Sequence, residues 1–307
     1  MKEVSLFLDS GAYSAFSQGQ SINLENYIAF IKQHQEYIDV YANLDVIGDA
    51  EATLKNQKTM ESAGLKPIPC YHYGEDVKYL NFYVDHYSYI ALGGLVTSAG
   101  SRAIMEHLDK CFTIICDTID HMPKVKVHGF GMTSLKLLWR YPWWSCDSTS
   151  WVFTGRFGGI FVPRRQNGKY VYEAFPFKIN VSKRSPSTKD EGQHFSTMSA
   201  MEQDEILDYI NQKGFVIGQS AYRVENRKKY KLASGERWAN SADVDACRAS
   251  NEESIDNLVE VIIEPGLCND YKKRDEINLM YFLDLENCMP RWPWPFTLTK
   301  KTRFGFK

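Results

Sequence analysis

Read from the N-terminus, short runs rich in β-branched and aromatic residues alternate with longer segments whose apolar positions recur at helical spacing. Each run ends on glycine or a polar residue. "SLFLDSGAY" predicts a strand, "NLENYIAFIKQHQEY" an amphipathic helix, "IDVYANLD" a strand and "DAEATLKNQKTMESAG" a helix that stops at Gly64. "KPIPCYHYG" and "YIALGG" predict strands around a helix, and "SRAIMEHLDKCFTIICDTID" predicts a long helix. "VKVHGFG" predicts a strand, and "TSLKLLWRY" the helix after it. The segment "YPWWSCDSTSW", Tyr141 to Trp151, is then the sixth strand region. Six βα units in about 150 residues predict a parallel α/β architecture, and a (β/α)8 TIM-type barrel fits the count better than an open doubly wound sheet.

Beyond Phe157 the rhythm degrades. "RSPSTKDEGQ", Arg184 to Gln193, predicts a surface loop, and "INVS" and "GFVIGQS" are candidate last strands on either side of a helix at Ala200–Lys213. No linker separates two domains. The expectation is therefore one barrel domain over 1–307, less regular from about residue 158, with irregular C-terminal insertions and a basic, aromatic tail over 290–307.

Composition narrows the class. A chain of 307 residues, 44% hydrophobic and 24% charged, can bury a sizeable core. "MKEVSLFLDSG" lacks a basic, apolar leader and no eighteen-residue apolar window occurs, so no membrane span and a cytoplasmic location are expected. Seven scattered cysteines without a CxxC pair fit reduced thiols. A net charge of −2 argues against a wholesale nucleic-acid coat and leaves room for a local basic face.

The chemistry-bearing residues fall at the carboxyl ends of the predicted strands: Asp9, Asp45, His72, Gly93-Gly94, His128 and Asp147. In a barrel that end carries the site. The plain alternative is that each aspartate caps the helix or loop that follows it.

These residues resemble a family. "LDSGAYSAFS" is similar to the "DSGGFQ" signature of the tRNA-guanine transglycosylases, "ALGGL" matches their glycine-glycine-leucine turn, and "HGFG" followed by "CDS" resembles their "GVG…FDC" segment. Order and approximate spacing agree from Asp9 to Arg156, about half the chain. The resemblance implies a TIM-type barrel that exchanges guanine in a nucleic acid for a 7-deazaguanine such as preQ0 or preQ1, without a cofactor. It implies that Asp147 is the nucleophile on C1′ and Asp9 the general acid/base. Asp45 would accept the donor edge of the base, and Gly93, Gly94 and Leu95 would offer it backbone groups. Ser10, His128 and Gly129 lie in the matching segments and would line the pocket. Tyr13 would stack on a flipped base, with core packing as its alternative.

The departures matter too. The family's CxCxxC zinc motif is absent, so no metal is expected, although a nonlocal site using Cys247, Cys268, Cys288 or His194 stays open. Where the family has a base-binding glutamine, this chain has "CYHYGED", so His72 would touch the base or serve as a core residue. Ala12 replaces the signature's second glycine. Without the zinc motif, the compact chain looks closer to the phage-type DpdA proteins, which place 7-deazaguanines in DNA, than to the tRNA enzymes, and restriction evasion is the implied biology.

Two basic segments could meet either polymer. "YRVENRKKYKLASGER" has six basic and two acidic residues, and "PRWPWPFTLTKKTRFGFK" has five basic and none acidic. Arg156, Arg164, Arg165, Arg223, Arg227, Lys228, Lys229, Lys300, Lys301 and Arg303 are the candidate phosphate contacts. A solvated helix face is the alternative for the first segment; in the second, Trp292, Trp294, Phe296 and Phe304 interleave with the charges as in stacking platforms for single strands, with docking of those aromatics onto the barrel as the alternative. Two other readings remain open: a catalytically silent barrel that binds nucleic acid or a free deazapurine, and an unrelated barrel hydrolase with an aspartate pair.

Overall fold

A computed structural model describes residues 5–95, 101–132, 134–182, 192–238 and 257–298. The chain is a mixed α/β protein that divides into two compact units, Met1–Ser148 with Pro290–Lys307, and Thr149–Met289. The expectation of one domain thus meets a division at Ser148/Thr149.

The first unit carries the βα rhythm. Strands β1 (Phe7–Leu8), β2 (Val40–Tyr41), β3 (Cys70–His72), β4 (Tyr89–Gly93), β5 (Lys126–Gly129) and β6 (Ser145–Cys146) alternate with helices α1 (Ala12–Ser17), α2 (Leu24–His34), α3 (Ala50–Ser62), α4 (Val77–His86), α5 (Ser101–Ile115) and α6 (Leu135–Arg140). β1 pairs with β2, and β3-β4-β5-β6 form one sheet, all in parallel. A parallel bridge from Ala42 to Ile68 joins the two sets. The helices begin where short polar side chains cap them. Asn23 accepts from Asn26 N at 2.8 Å, Asp49 from Ala52 N at 2.9 Å, and Asp76 from Lys78 N at 2.9 Å. Gly64, at φ 85°, ends α3 in the left-handed conformation.

This parallel array curls. The Phe7 ring on β1 stacks on the His128 ring on β5 with centroids 4.4 Å apart. In a flat sheet four strand spacings would separate them by roughly 19 Å. The concave side is filled by Ala42, Ile68, Cys70 and Ala91, with Phe7, Val40, Tyr89 and Phe130 against them. Side chains alternate along a strand, so Asp9, His72 and Gly93, two steps beyond Phe7, Cys70 and Ala91, belong to the same inner face at its carboxyl rim, as does Asp147, two steps beyond Ser145, whose Oγ is 2.7 Å from His128 Nδ1. Among the described residues the hydrogen-bonded strands do not close into a barrel.

The second unit departs from the expected βα pattern. α7 (Ser150–Arg156) is followed by β7 (Gly159–Val162), the β8–β9 hairpin (Arg164–Gln166 with Lys169–Val171) and β10 (Phe177–Asn180). Then come α8 (Ala200–Gln212), β11 (Gln219–Val224), β12 (Glu236–Trp238), β13 (Leu258–Glu264) and α9 (Tyr271–Cys288). β7 pairs with β10 and β13 lies between β11 and β12, all antiparallel, so "INVS" and "GFVIGQS" do not add parallel strands. Ile160, Val162, Ile179, Ile206, Ile210 and Ile277 make its core, each buried aliphatic side chain contributing about 1.5–3 kcal/mol. Asn278 of α9 accepts from Phe161 N at 2.9 Å, and the buried Arg274 donates to the carbonyls of Gly155 and Leu267. No helix among the described residues is long and apolar enough to cross a membrane.

Candidate functional site

None of the three strand-end aspartates caps a helix. Gly11 occupies the cap of α1 with no side-chain bond, Asp49 rather than Asp45 caps α3, and Thr149 precedes α7. Capping of the helix that follows is therefore not the role of any of the three.

Asp147 follows β6. Its Oδ1 accepts from Gly131 N at 3.0 Å and lies 3.4 Å from His128 Nε2, too long or bent for a formed hydrogen bond. His128 is oriented from behind: Nδ1 is 2.7 Å from Ser145 Oγ, which is 2.7 Å from Tyr89 OH. Partial burial pushes the Asp147 carboxyl up, but the His128 imidazole and the Gly131 N–H outweigh it, and the net shift is downward. With 52% of its side chain accessible, Asp147 is an ionised, reachable carboxylate. Upstream of it, Tyr141 and Trp143 anchor the segment in the first unit. Tyr141 is fully buried and donates to Asp109 Oδ1 at 2.7 Å, and Trp143 Nε1 donates to Leu137 O at 3.0 Å.

Asp9 is exposed at the end of β1. Ser10 is buried and its Oγ accepts from Ala12 N at 3.3 Å, which shapes the turn before α1. Gly11, at φ 74°, makes that turn possible. Tyr13 is 64% exposed, so core packing is not its role.

Asp45 and His72 come together with two residues that the sequence reading left out. His72 Nε2 lies 3.3 Å from Asp45 Oδ2 and 3.5 Å from Cys70 Sγ, and its Nδ1 is 3.1 Å from Glu75 Oε1. Glu75 Oε2 also accepts from His72 N at 3.0 Å. Burial alone would lower the His72 pKa, but Cys70, Asp45 and Glu75 outweigh it and raise it. Burial raises the Asp45 carboxyl against the opposing pull of His72, with Glu75 and Asp9 adding to the rise. Burial likewise pushes the Cys70 thiol up to about 12. Asp45 Oδ1 is buried without a hydrogen-bond partner. The signal for this cluster was "CYHYGE": alternation puts Cys70 and His72 on one face, and a carboxylate follows within one turn.

Gly93 and Gly94 are small for reasons of the fold. A Cβ on Gly93 would lie 2.7 Å from His72 Cδ2 and 2.8 Å from Cys70 Sγ, and Gly94 has φ 68° with Tyr73 N 3.0 Å from its Cβ position. Leu95 is buried, and a Cβ on Gly129 would meet Trp143 at 3.0 Å.

The basic candidates divide. In the second unit, Arg164 lies 3.5 Å from the Phe177 ring centroid, Arg165 pairs with Asp208 at 2.8 Å, and Arg223 pairs with Glu225 at 3.0 Å and Glu236 at 2.6 Å. Arg227 lies over the Trp238 ring. Arg156, Lys228 and Lys229 are exposed. The segment "YRVENRKKYKLASGER" forms a strand, a turn and the start of another strand, so it offers no helix face. In the tail, Phe296 is buried at 4% exposure against Phe112 and Tyr141, and Trp292 packs edge-on to Trp144, so docking and not base stacking is the role of these two. Lys300, Lys301 and Arg303 lie outside the described residues.

Among the described residues, Asp45, Cys70 and His72 are the His, Cys and carboxylate group close enough to share one ion; Cys268, Cys288 and His194 form no such group, and Cys247 lies outside the described residues. No protein-family model and no curated protein sequence matches this chain.

Proposed function

We propose that the chain is a transglycosylase that exchanges guanine in DNA for a 7-deazaguanine of the preQ0 or preQ1 type. The observation that carries this reading is Asp147: an accessible carboxylate, held ionised by a backbone N–H and an imidazole, at the carboxyl rim of a curled parallel array. Asp9 ends the first strand of the same array and supplies the second carboxylate.

The chemistry balances with these two groups alone. An Asp147 oxygen attacks C1′ of the target nucleotide, the C1′–N9 bond breaks, and guanine leaves with its electron pair on N9, where Asp9 delivers a proton. The glycosyl ester then waits. Asp9, now a carboxylate, takes the N9 proton of the incoming base, N9 attacks C1′, and Asp147 is released. Asp45 Oδ1, buried and unpartnered, is the acceptor for the N1–H and 2-amino edge shared by guanine and its 7-deaza analogues. The same proposal extends to the fold. Six parallel strands already curl far enough for β1 to touch β5, which supports a (β/α)8-type arrangement with the antiparallel segments as insertions.

Incubation with labelled preQ0 and separate DNA and tRNA substrates tests the reading. Label entering DNA alone supports it, and label entering tRNA alone makes the chain a tRNA-guanine transglycosylase without the zinc subdomain. Wild-type protein with guanine-containing DNA should give a denaturation-resistant band that added preQ0 discharges, and Asp147→Asn should give none while still binding DNA. An equal band from Asp147→Asn would move the covalent bond elsewhere.

A further inference from the structure

We infer that Asp45, Cys70 and His72 form a binding site for a borderline divalent cation of the Zn2+ type. His72 Nε2 lies 3.5 Å from Cys70 Sγ and 3.3 Å from Asp45 Oδ2, and a ring nitrogen carries at most one proton, so it makes a full hydrogen bond to one neighbour at most, and both contacts are long. A cation placed among the three can bond to all of them. With metal–N and metal–O bonds of about 2.0–2.1 Å, a metal–S bond of about 2.3 Å and tetrahedral angles, the N···O edge is roughly 3.3 Å and the N···S edge roughly 3.5 Å. The two edges at His72 Nε2 have those lengths, and all three ligand atoms lie within 4.8 Å of one another.

Three further features belong to such a site. Glu75 Oε1 holds His72 Nδ1 at 3.1 Å, the carboxylate-to-imidazole contact that aims the other ring nitrogen at a metal. Among the described residues no lysine or arginine pairs with Asp45 or Glu75, so two carboxylates whose side chains are about nine-tenths buried (8% and 9% exposed) share one imidazole as their cation. Gly93 makes the room, because a side chain there would collide with both His72 and Cys70.

The donor set selects the ion. One thiolate, one imidazole and one carboxylate suit Zn2+ over Mg2+ or Ca2+, which favour oxygen alone. Uptake releases the Cys70 thiol proton and any proton on His72 Nε2 to solvent. Three protein ligands leave the fourth position to water or to a donor atom of a bound ligand. Asp45 Oδ1 stays free for a second partner. The site holds whether or not the chain exchanges bases, so its test reads metal and not turnover.

Purified full-length protein, stripped with chelator and titrated with Co2+, should take up about one ion per chain with a thiolate-to-cobalt charge-transfer band in the near ultraviolet. Cys70→Ser and His72→Gln should abolish the band, Glu75→Gln should weaken binding about 10–100-fold, and Cys288→Ser, at an exposed thiol, should leave it intact. A band that survives in Cys70→Ser, or no uptake by wild type, overturns the proposal. X-ray absorption on zinc-loaded wild type needs no variant: one sulfur at about 2.3 Å with nitrogen and oxygen at about 2.0–2.1 Å supports the site, and a shell without sulfur refutes it.

Discussion

His128 stands behind Asp147 as the last member of a chain that begins at Tyr89: Tyr89 OH to Ser145 Oγ, Ser145 Oγ to His128 Nδ1, and His128 Nε2 3.4 Å from Asp147 Oδ1. Three adjacent strands thus fix the imidazole that lies beside one carboxylate. His128 is a positioning residue in this arrangement, since its ring is buried and touches Asp147 from the protein side. His128→Ala should slow formation of the covalent DNA adduct about tenfold to a hundredfold, with DNA binding retained. Single-turnover gel assays with and without excess preQ0 separate the two effects, and an unchanged adduct rate would remove His128 from the site.

The downward shift at Asp147 has a definite sign in pH. Its folded pKa lies below the ordinary aspartate value of 3.8, so the native state favours the ionised form. That contribution to stability is present above 3.8 and disappears as pH falls through the folded value. The difference in melting temperature between wild type and Asp147→Asn should therefore be flat above roughly pH 5 and change only in more acid solution. A difference that instead titrates between about pH 6 and 8 would assign the shift the wrong direction.

Asp9 has no comparable support around it; it stands exposed at the end of β1. Asp9→Ala should lower base exchange by more than about a hundredfold while leaving thermal stability nearly unchanged, because the side chain is accessible and caps nothing. Turnover at the wild-type level would place the proton-carrying role elsewhere.

Much of the first unit was legible because its signals are local. Apolar spacing marks α2 and α3, Asn23 and Asp49 start them, Gly64 ends α3, and the strand ends at Asp9, His72 and Asp147 follow from alternation. The Asp45–Cys70–His72–Glu75 cluster was half legible: Asp45 and His72 stood out, whereas Cys70 and Glu75 matter only once the chain has folded and brought Asp45 beside β3. In the second unit the helix was legible, predicted at Ala200–Lys213 and found at Ala200–Gln212, whereas the strand pairings were not. Strand pairings such as β11 with β13 join residues far apart in sequence, and a β-rich run carries no mark of whether its partner will be parallel or antiparallel.

The tail shows the same limit in one residue. Aromatics interleaved with lysine and arginine fit a stacking platform as well as anchors on the barrel, the reading the sequence favours, and Phe296 is an anchor, buried against Phe112 and Tyr141 with its N–H on His121 O at 2.9 Å. Phe296→Ala should cost roughly 3–5 kcal/mol in denaturant unfolding of the full chain. A loss of DNA affinity with stability untouched would restore the stacking role.

Gly93 separates a structural from a catalytic reason for the glycine pair. If glycine is there to let a base approach, Gly93→Ala should hurt substrate binding first. The geometry gives a different order of effects, because the added methyl would sit 2.7 Å from His72 Cδ2 and 2.8 Å from Cys70 Sγ, distances that force one side chain to move. Overpacking of this kind costs about 1–3 kcal/mol, and here the displaced group is the imidazole held between Asp45 and Glu75. Gly93→Ala should therefore lower stability by about that amount in chelator-treated protein. The second substitution Cys70→Ala, which empties the space beside the new methyl, should recover part of it. Non-additivity is what decides: residues in contact couple by about 0.5–3 kcal/mol, whereas independent sites sum. Additive losses in the double variant would mean that Gly93 is small for the sake of a ligand and not for His72 and Cys70.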